Sequence, residues 1–153
     1  MTRSASRGGK HLAVTTLEGH PTRSFLGDTF RLTFARNEGA FLSLGADLPP
    51  AVRFALLTVT VGLLLGGLLI YASRSTQLTS LQVVGCALIA SGGISNWIDR
   101  VRDSGVVVDF LNVGVGTLRT GIFNVADLAI VAGVVALLSS RRSPASHPSR
   151  SRS

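Results

Sequence analysis

The chain has 153 residues, of which 46% are hydrophobic and only 15% are charged. A soluble domain usually carries about a quarter charged residues, so this composition excludes a disordered chain, a coiled coil and an ordinary cytosolic enzyme. The net charge of +7 would suit a nucleic-acid-binding protein, but no basic patch is interleaved with aromatic residues. The single cysteine excludes an intramolecular disulfide and a cysteine-cluster metal site. The composition therefore indicates an integral membrane protein without a nucleic-acid partner.

The N-terminal third of the chain is predicted to lie outside the membrane. Residues 1–24 are basic and contain no apolar run long enough for a signal peptide or a membrane helix, and we expect them to be disordered. Residues 25–50 alternate only in part between apolar and polar side chains, which predicts a small extracytoplasmic element with short β-strands.

Three apolar segments follow, and we expect each to cross the membrane as a helix: residues 54–72, 79–98 and 121–139. The first segment is uncharged and would extend about 28 Å as an α-helix, close to the thickness of the bilayer hydrocarbon core. The basic tail, residues 141–153, is expected to be disordered and cytoplasmic by the positive-inside rule. The sequence thus predicts an all-α polytopic membrane protein whose membrane domain covers residues 25–140.

Two of these segments carry an amide and a carboxylate near one end. Asp127 lies inside the third segment, where an ionisable side chain is costly and usually faces a cavity or a partner. Asn124 precedes it by three residues, so a helix cap is the alternative interpretation of this pair. Asn96 and Asp99 repeat the same spacing in the second segment, and residues three apart share one face of a helix.

A further carboxylate, Asp109, has apolar neighbours on both sides, which disfavour its charged form and raise its pKa. Asp99 has Arg100 beside it, so we interpret Asp99 as one half of a structural ion pair. Two carboxylates brought close together can share a proton, so that one acts as a base and the other as an acid. This chemistry is that of an aspartic protease, and the pattern leaves open which two aspartates pair.

Four sequence blocks, in this order, resemble the signature blocks of lipoprotein signal peptidase, also called signal peptidase II: NEGAFLSLG (Asn37–Gly45), SGGISNWIDR (Ser91–Arg100), GVVVDF (Gly105–Phe110) and FNVADLAI (Phe123–Ile130). The resemblance extends from about Phe25 to Leu138. It implies a four-helix membrane aspartyl endopeptidase of bacteria. Such an enzyme removes the signal peptide from diacylglyceryl-modified prolipoproteins by cutting just before the lipidated cysteine.

The resemblance also implies roles for individual residues. It assigns the catalytic pair to Asp109 and Asp127. It implies supporting or substrate-binding positions at Asn37, Gly39, Asn96, Asp99, Arg100 and Asn124. The implied partners are the lipid-modified prolipoprotein, membrane lipids and the inhibitor globomycin, with no metal and no cofactor. The implied location is the bacterial inner membrane, crossed several times, with a cytoplasmic C-terminus.

One feature departs from the family pattern, in which the chain begins with a membrane helix carrying an aspartate and a lysine. Nothing before Phe25 is long or apolar enough for that helix, so only three spans are expected here. Lys10 could be a remnant of that block, whose aspartate is absent. The missing helix favours an inactive protein, but the signature residues are all present, so the leading hypothesis is an active peptidase. The alternatives are a truncated, inactive relative and, less favoured, an unrelated membrane scaffold or transporter subunit that uses Asp127 as an ion site.

Overall fold

Four helices and four strands make up the part of the chain that the computed structural model describes, residues 5–39 and 47–140. The helices are α1 (Ala5–Leu17), α2 (Pro50–Arg74), α3 (Ser80–Arg102) and α4 (Val125–Ser140). The strands are β1 (Arg23–Phe25), β2 (Phe30–Asn37), β3 (Val107–Val115) and β4 (Leu118–Arg119). The basic tail predicted to be disordered, residues 141–153, lies outside the described residues.

The strands form one antiparallel sheet in the order β1-β2-β3-β4. In its centre β2 pairs with β3, and Ala35 lies opposite Asp109. β2 falls in the element for which the sequence predicted short strands, whereas β3 forms where no strand was predicted, because its β-branched residues pair with a distant strand. The protein is thus mostly helical with a small sheet, and the predicted all-α class is not confirmed.

Two helices, α2 and α3, are long and apolar enough to cross a membrane. α4 is a shorter apolar helix of 16 residues, about 24 Å at 1.5 Å per residue. It begins at Val125 rather than at residue 121, because the preceding Phe123 exchanges backbone hydrogen bonds with Leu111 of β3, each 2.8 Å long. The third predicted span is therefore shorter at its N-terminal end than the sequence suggested.

Glycines allow α3 and α4 to approach each other closely, as small residues do between membrane helices. A Cβ atom at Gly92 of α3 would overlap the backbone oxygen of Ala126, and one at Gly133 of α4 would lie 2.6 Å from the backbone oxygen of Gly85. This packing sets the first turn of α4 against the C-terminal half of α3. The amides and carboxylates noted in the two segments consequently come together.

α1 forms within residues 1–24, the segment for which the sequence predicted disorder, and that expectation is wrong for Ala5–Leu17. Ala13 and Leu17 are buried in a cluster with Phe110 of β3. Packing on the sheet stabilises this helix, since an isolated helix of 13 residues is marginal in water. The segment was missed because its buried face contains few apolar residues and its partner strand is distant in sequence.

Candidate active site

Asp109 lies on β3, at the point where this strand pairs with β2, and only 2% of its surface is exposed. The Asn37 side chain, at the end of β2, donates a hydrogen bond to its Oδ2 at 2.8 Å. The Asn124 side chain donates to its Oδ1 at 2.6 Å. Both carboxylate oxygens are thus held by amide groups, one from the sheet and one from the start of α4.

Asp127 lies in the first turn of α4 and accepts hydrogen bonds on both oxygens. Its Oδ2 accepts from the backbone nitrogen of Asn124 at 3.0 Å, and the Asn124 Oδ1 accepts in turn from the Asp127 backbone nitrogen at 3.3 Å. This reciprocal arrangement is a capping box. Its Oδ1 accepts from the Asn96 side chain of α3 at 2.8 Å. The capping interpretation is therefore correct. Asp127 also belongs to a polar cluster through its hydrogen bond with Asn96.

Asn124 connects the two carboxylates, which we call the carboxylate pair (Asp109 and Asp127). Its side-chain nitrogen donates to Asp109, whereas its backbone nitrogen donates to Asp127. The side chain is fully buried, with 0% of its surface exposed. Asp127 is only partly buried. One asparagine thus holds a deeply buried carboxylate and a more accessible one within the same hydrogen-bond network.

The surroundings of Asp109 favour its protonated form. Burial is the main cause that raises the pKa of this carboxyl, and the negative charge of Asp127 raises it further. Hydrogen bonds from Asn37 and Asn124 act in the opposite direction, as does the positive charge of Lys10. The net effect is a raised pKa, which is the direction that the apolar neighbours of Asp109 predicted from the sequence.

Asp99 forms a structural ion pair, as expected, but its partner is Lys10 of α1 rather than the adjacent Arg100. The ammonium group of Lys10 also donates to the Asn96 Oδ1 at 2.6 Å. Arg100 points elsewhere because consecutive residues of a helix do not share a face. Lys10 thus belongs to this polar cluster, although the sequence assigned it no role. Its spacing to Ala13 and Leu17 places the three side chains on one face of α1.

Arg100 is buried and holds the turn that follows β2. Its Nη2 donates to the backbone oxygen of Gly39 at 2.7 Å, and the Gly39 nitrogen donates to the Asn37 Oδ1 at 3.0 Å. The Nε of Arg100 is also buried, without a hydrogen-bond partner among the described residues. The rest of the NEGAFLSLG block, residues 40–45, lies outside the described residues.

All eight residues singled out in the sequence therefore belong to one region, where the ends of α3 and α4 meet the sheet. Within residues 5–39 and 47–140, no group of three His, Cys, Asp or Glu side chains could hold a metal ion. The arrangement offers two carboxylates held by neutral amides, with a buried guanidinium group beside them. Such a set can transfer protons and donate hydrogen bonds to a bound carbonyl.

Residues 7–141 match the family model described as signal peptidase (SPase) II. The chain belongs to the signal peptidase II family. The match begins within α1, so the family resemblance extends further towards the N-terminus than the limit near Phe25 that the sequence blocks suggested. Membership of this family and the two long apolar helices, α2 and α3, both support a membrane peptidase.

Relatives and solved structures support this assignment. The lipoprotein signal peptidase of Desulforapulum autotrophicum is 39% identical over 127 residues, which cover 82% of this chain and 77% of the relative. That of Geobacter sulfurreducens is 37% identical over 128 residues, which cover 84% and 78%.

Two structures described as bacterial membrane enzymes share the fold of this family member. The first has a TM-score of 0.77 at 22% identity, covering 97% of this chain and 87% of that chain. The second has a TM-score of 0.75 at 23% identity, covering 90% and 85%.

Proposed function

We propose that this signal peptidase II family member removes signal peptides from bacterial prolipoproteins by aspartyl catalysis at Asp109 and Asp127. The observation that carries the proposal is the shared Asn124, which donates one hydrogen bond to each carboxylate. Carboxylates held around a common group, with different burial, are suited to opposite roles as acid and base.

Asp109 is assigned the role of the acid, because its burial raises its pKa and favours the proton-bearing form. Asp127, which is more exposed, is assigned the role of the base that water can reach. As water attacks the scissile carbonyl carbon, Asp127 takes a proton from the water and Asp109 gives its proton to the carbonyl oxygen. When the C–N bond breaks, the proton on Asp127 passes to the leaving nitrogen and Asp109 recovers a proton from the hydroxyl group.

The amide side chains that surround the carboxylate pair are proposed to keep it in position throughout this cycle. Asn37, Asn96 and Asn124 each donate to a carboxylate, and an amide remains neutral whichever carboxyl carries the proton. The unpartnered Nε of Arg100 is proposed to donate to a backbone carbonyl of the substrate near the cleaved bond. Gly39, which Arg100 binds, would then lie beside the bound peptide.

The proposed substrate is a prolipoprotein whose cysteine carries diacylglycerol, and the bond cut lies just before that cysteine. A site at the ends of α3 and α4 would meet such a substrate where its apolar signal helix leaves the lipid, while the acyl chains stay among membrane lipids. We assign the protein to the bacterial inner membrane with its basic tail in the cytoplasm. Globomycin is the inhibitor expected from the family.

The decisive experiment is cleavage of a diacylglyceryl-modified prolipoprotein by membranes that contain this chain, followed as a gel shift. Asp109→Asn and Asp127→Asn are each expected to lower the rate about 10²- to 10⁴-fold, the usual contribution of a general acid or base. Asp103→Asn is the matched control, because Asp103 is exposed at the end of α3. Globomycin is expected to block the wild type.

Cleavage by both asparagine variants at the wild-type rate would contradict the aspartyl mechanism. Absence of cleavage by wild-type chain that is present in the membrane would instead support the inactive-relative hypothesis. Nothing in the geometry of the carboxylate pair favours that hypothesis, since both carboxylates have their amide partners.

A further inference from the structure

Lys10 of α1 is a cation held inside the protein, with 6% of its surface exposed. A buried ammonium group is costly unless it is paired and hydrogen-bonded. Lys10 meets this requirement through the ion pair with Asp99 and the hydrogen bond to the Asn96 Oδ1. The charge is therefore fixed at one point, beside the asparagine that contacts Asp127.

The hydrogen bond from Lys10 determines which way the Asn96 amide points. Its oxygen accepts from the Lys10 ammonium at 2.6 Å and from the Asn124 side chain at 3.3 Å. Its nitrogen donates to the Asp127 Oδ1 at 2.8 Å. An ammonium group has only donors, so a reversed amide would set donor against donor at Lys10 and oxygen against oxygen at Asp127.

The helix that carries Lys10 is attached to the strand that carries the other carboxylate. Ala13 and Leu17 of α1 pack against Phe110, the residue after Asp109 on β3. A Cβ atom at Gly9 would already touch the Phe110 ring, at 3.4 Å. The apolar side chains of α1 thus attach it to β3, the strand that carries Asp109. Lys10 attaches the same helix to Asn96, the hydrogen-bond partner of Asp127.

We propose that Lys10 is a positioning residue, which orients Asp127 through Asn96, and that Asp99 serves to hold the Lys10 ammonium in place. This inference deepens the proposed function and rests on it, because orientation of Asp127 matters only if this carboxylate reacts. Lys10 itself touches neither carboxylate of the pair. Its removal should therefore slow the chemical step and leave substrate binding nearly unchanged.

The test compares Lys10→Met, Lys10→Arg and the control His11→Gln, with rates expressed per mole of purified, folded protein on the diacylglyceryl-modified prolipoprotein. Lys10→Met is expected to lower kcat up to about 10²-fold, the cost of a misplaced reacting group, with KM changed less than about threefold. Lys10→Arg, which keeps charge and donors, should recover part of the loss. His11 is the next residue of the same helix and is exposed, so His11→Gln should match the wild type.

A double variant tests whether Lys10 acts through Asn96. If it does, Lys10→Met combined with Asn96→Leu will be no slower than Asn96→Leu alone, since residues that act as a unit are not additive. Independent, multiplying losses would overturn the inference, as would a wild-type kcat in Lys10→Met. If Lys10→Met fails to fold, Lys10→Ala, which also lacks a donor, replaces it, and a wild-type kcat in that variant overturns the inference equally. An inactive wild type would instead reject the proposed function, and the positioning role with it.

Discussion

Each of the four oxygens of the carboxylate pair accepts a hydrogen bond from an amide. Asp109 accepts from two asparagine side chains, and Asp127 accepts from one asparagine side chain and one backbone nitrogen. Amides neither gain nor lose protons in the range where carboxyl groups titrate. The donors that hold the carboxylate pair are therefore the same whichever of the two carboxyl groups carries a proton.

Replacement of Asn124 by alanine should reduce both stability and activity. The variant loses the cap of α4, at a cost of about 1 kcal/mol, and leaves the buried Asp109 Oδ1 without its donor, at a further cost of about 1–3 kcal/mol. Thr79→Ala removes the corresponding cap of α3, which is exposed, and is the matched control. Thermal unfolding in detergent should show a clearly larger loss for Asn124→Ala, and equal losses would contradict this account.

The pH dependence of cleavage should respond to Asn37. Its hydrogen bond stabilises the ionised form of Asp109, so Asn37→Ala should raise the pKa of this carboxyl further. The charged groups that act on Asp109 are Asp127, Lys10 and Arg100, and the substitution leaves all three in place. With Asp109 as the acid, its proton persists to higher pH, and the alkaline limb of kcat/KM should move upward. A downward shift of this limb in a pH–rate profile would contradict the role of Asp109 as the acid.

At the scale of elements, α2 contains a π-helical stretch, Ala55–Thr60, where α3 packs against it. The Trp97 indole nitrogen of α3 donates to the backbone oxygen of Thr58 at 2.7 Å. π-Helical turns disturb the regular pattern of backbone hydrogen bonds, and here a side chain from the neighbouring helix uses one of the oxygens. This contact joins α2 to α3 at Trp97, about one helical turn before Arg100 along α3.

A pair of glycine substitutions tests that helix contact. A Cβ atom at Gly62 would lie 2.9 Å from the Trp97 Nε1, whereas one at Gly66 would meet nothing within 4 Å. Gly62→Ala should destabilise the protein by about 1–3 kcal/mol through overpacking. Gly66→Ala should be neutral or stabilising by up to about 1 kcal/mol, because alanine favours the helix. Thermal unfolding measures both, and a greater loss in Gly66→Ala would refute the packing.

The helical cores and Asp127 leave local signals in the sequence, namely long uncharged runs and a charge inside one of them. The pairing of Asp127 with Asp109 was instead implied by the family resemblance. The sequence did not predict β3, whose pairing of Asp109 with Ala35 depends on a strand far away in the chain. It also missed α1, since a short helix with a lysine on its buried face is stable only through its contacts. Lys10 was consequently noted without its contacts to Asn96 and Asp99.

At the scale of the whole molecule, the helices turn many apolar side chains outward. Leu63 of α2 is 72% exposed and lies in a helix long enough to span a bilayer. Leu118 of β4 is 83% exposed but lies in the sheet. Two leucines of similar exposure thus lie in different elements, one in a candidate membrane span and the other in the sheet.

The same substitution at these two leucines should have different consequences. Leu63→Arg places a charge in a membrane helix, at a cost of about 2.5–3.5 kcal/mol, and should lower the amount of chain that resists carbonate extraction from membranes. Leu118→Arg is the matched control and should leave that amount unchanged. Equal losses in both variants would argue against α2 as a membrane span.

The partners in this site come from opposite parts of the chain: Asn37 and Asp109 are 72 residues apart, and Lys10 and Asn96 are 86 residues apart. In a chain whose strands β2 and β3 are not yet paired, Asp109 lacks its hydrogen bond from Asn37, whereas Asp127 keeps its partners Asn96 and Asn124. The complete hydrogen-bond network around the carboxylate pair therefore forms only when segments far apart in the sequence have come together.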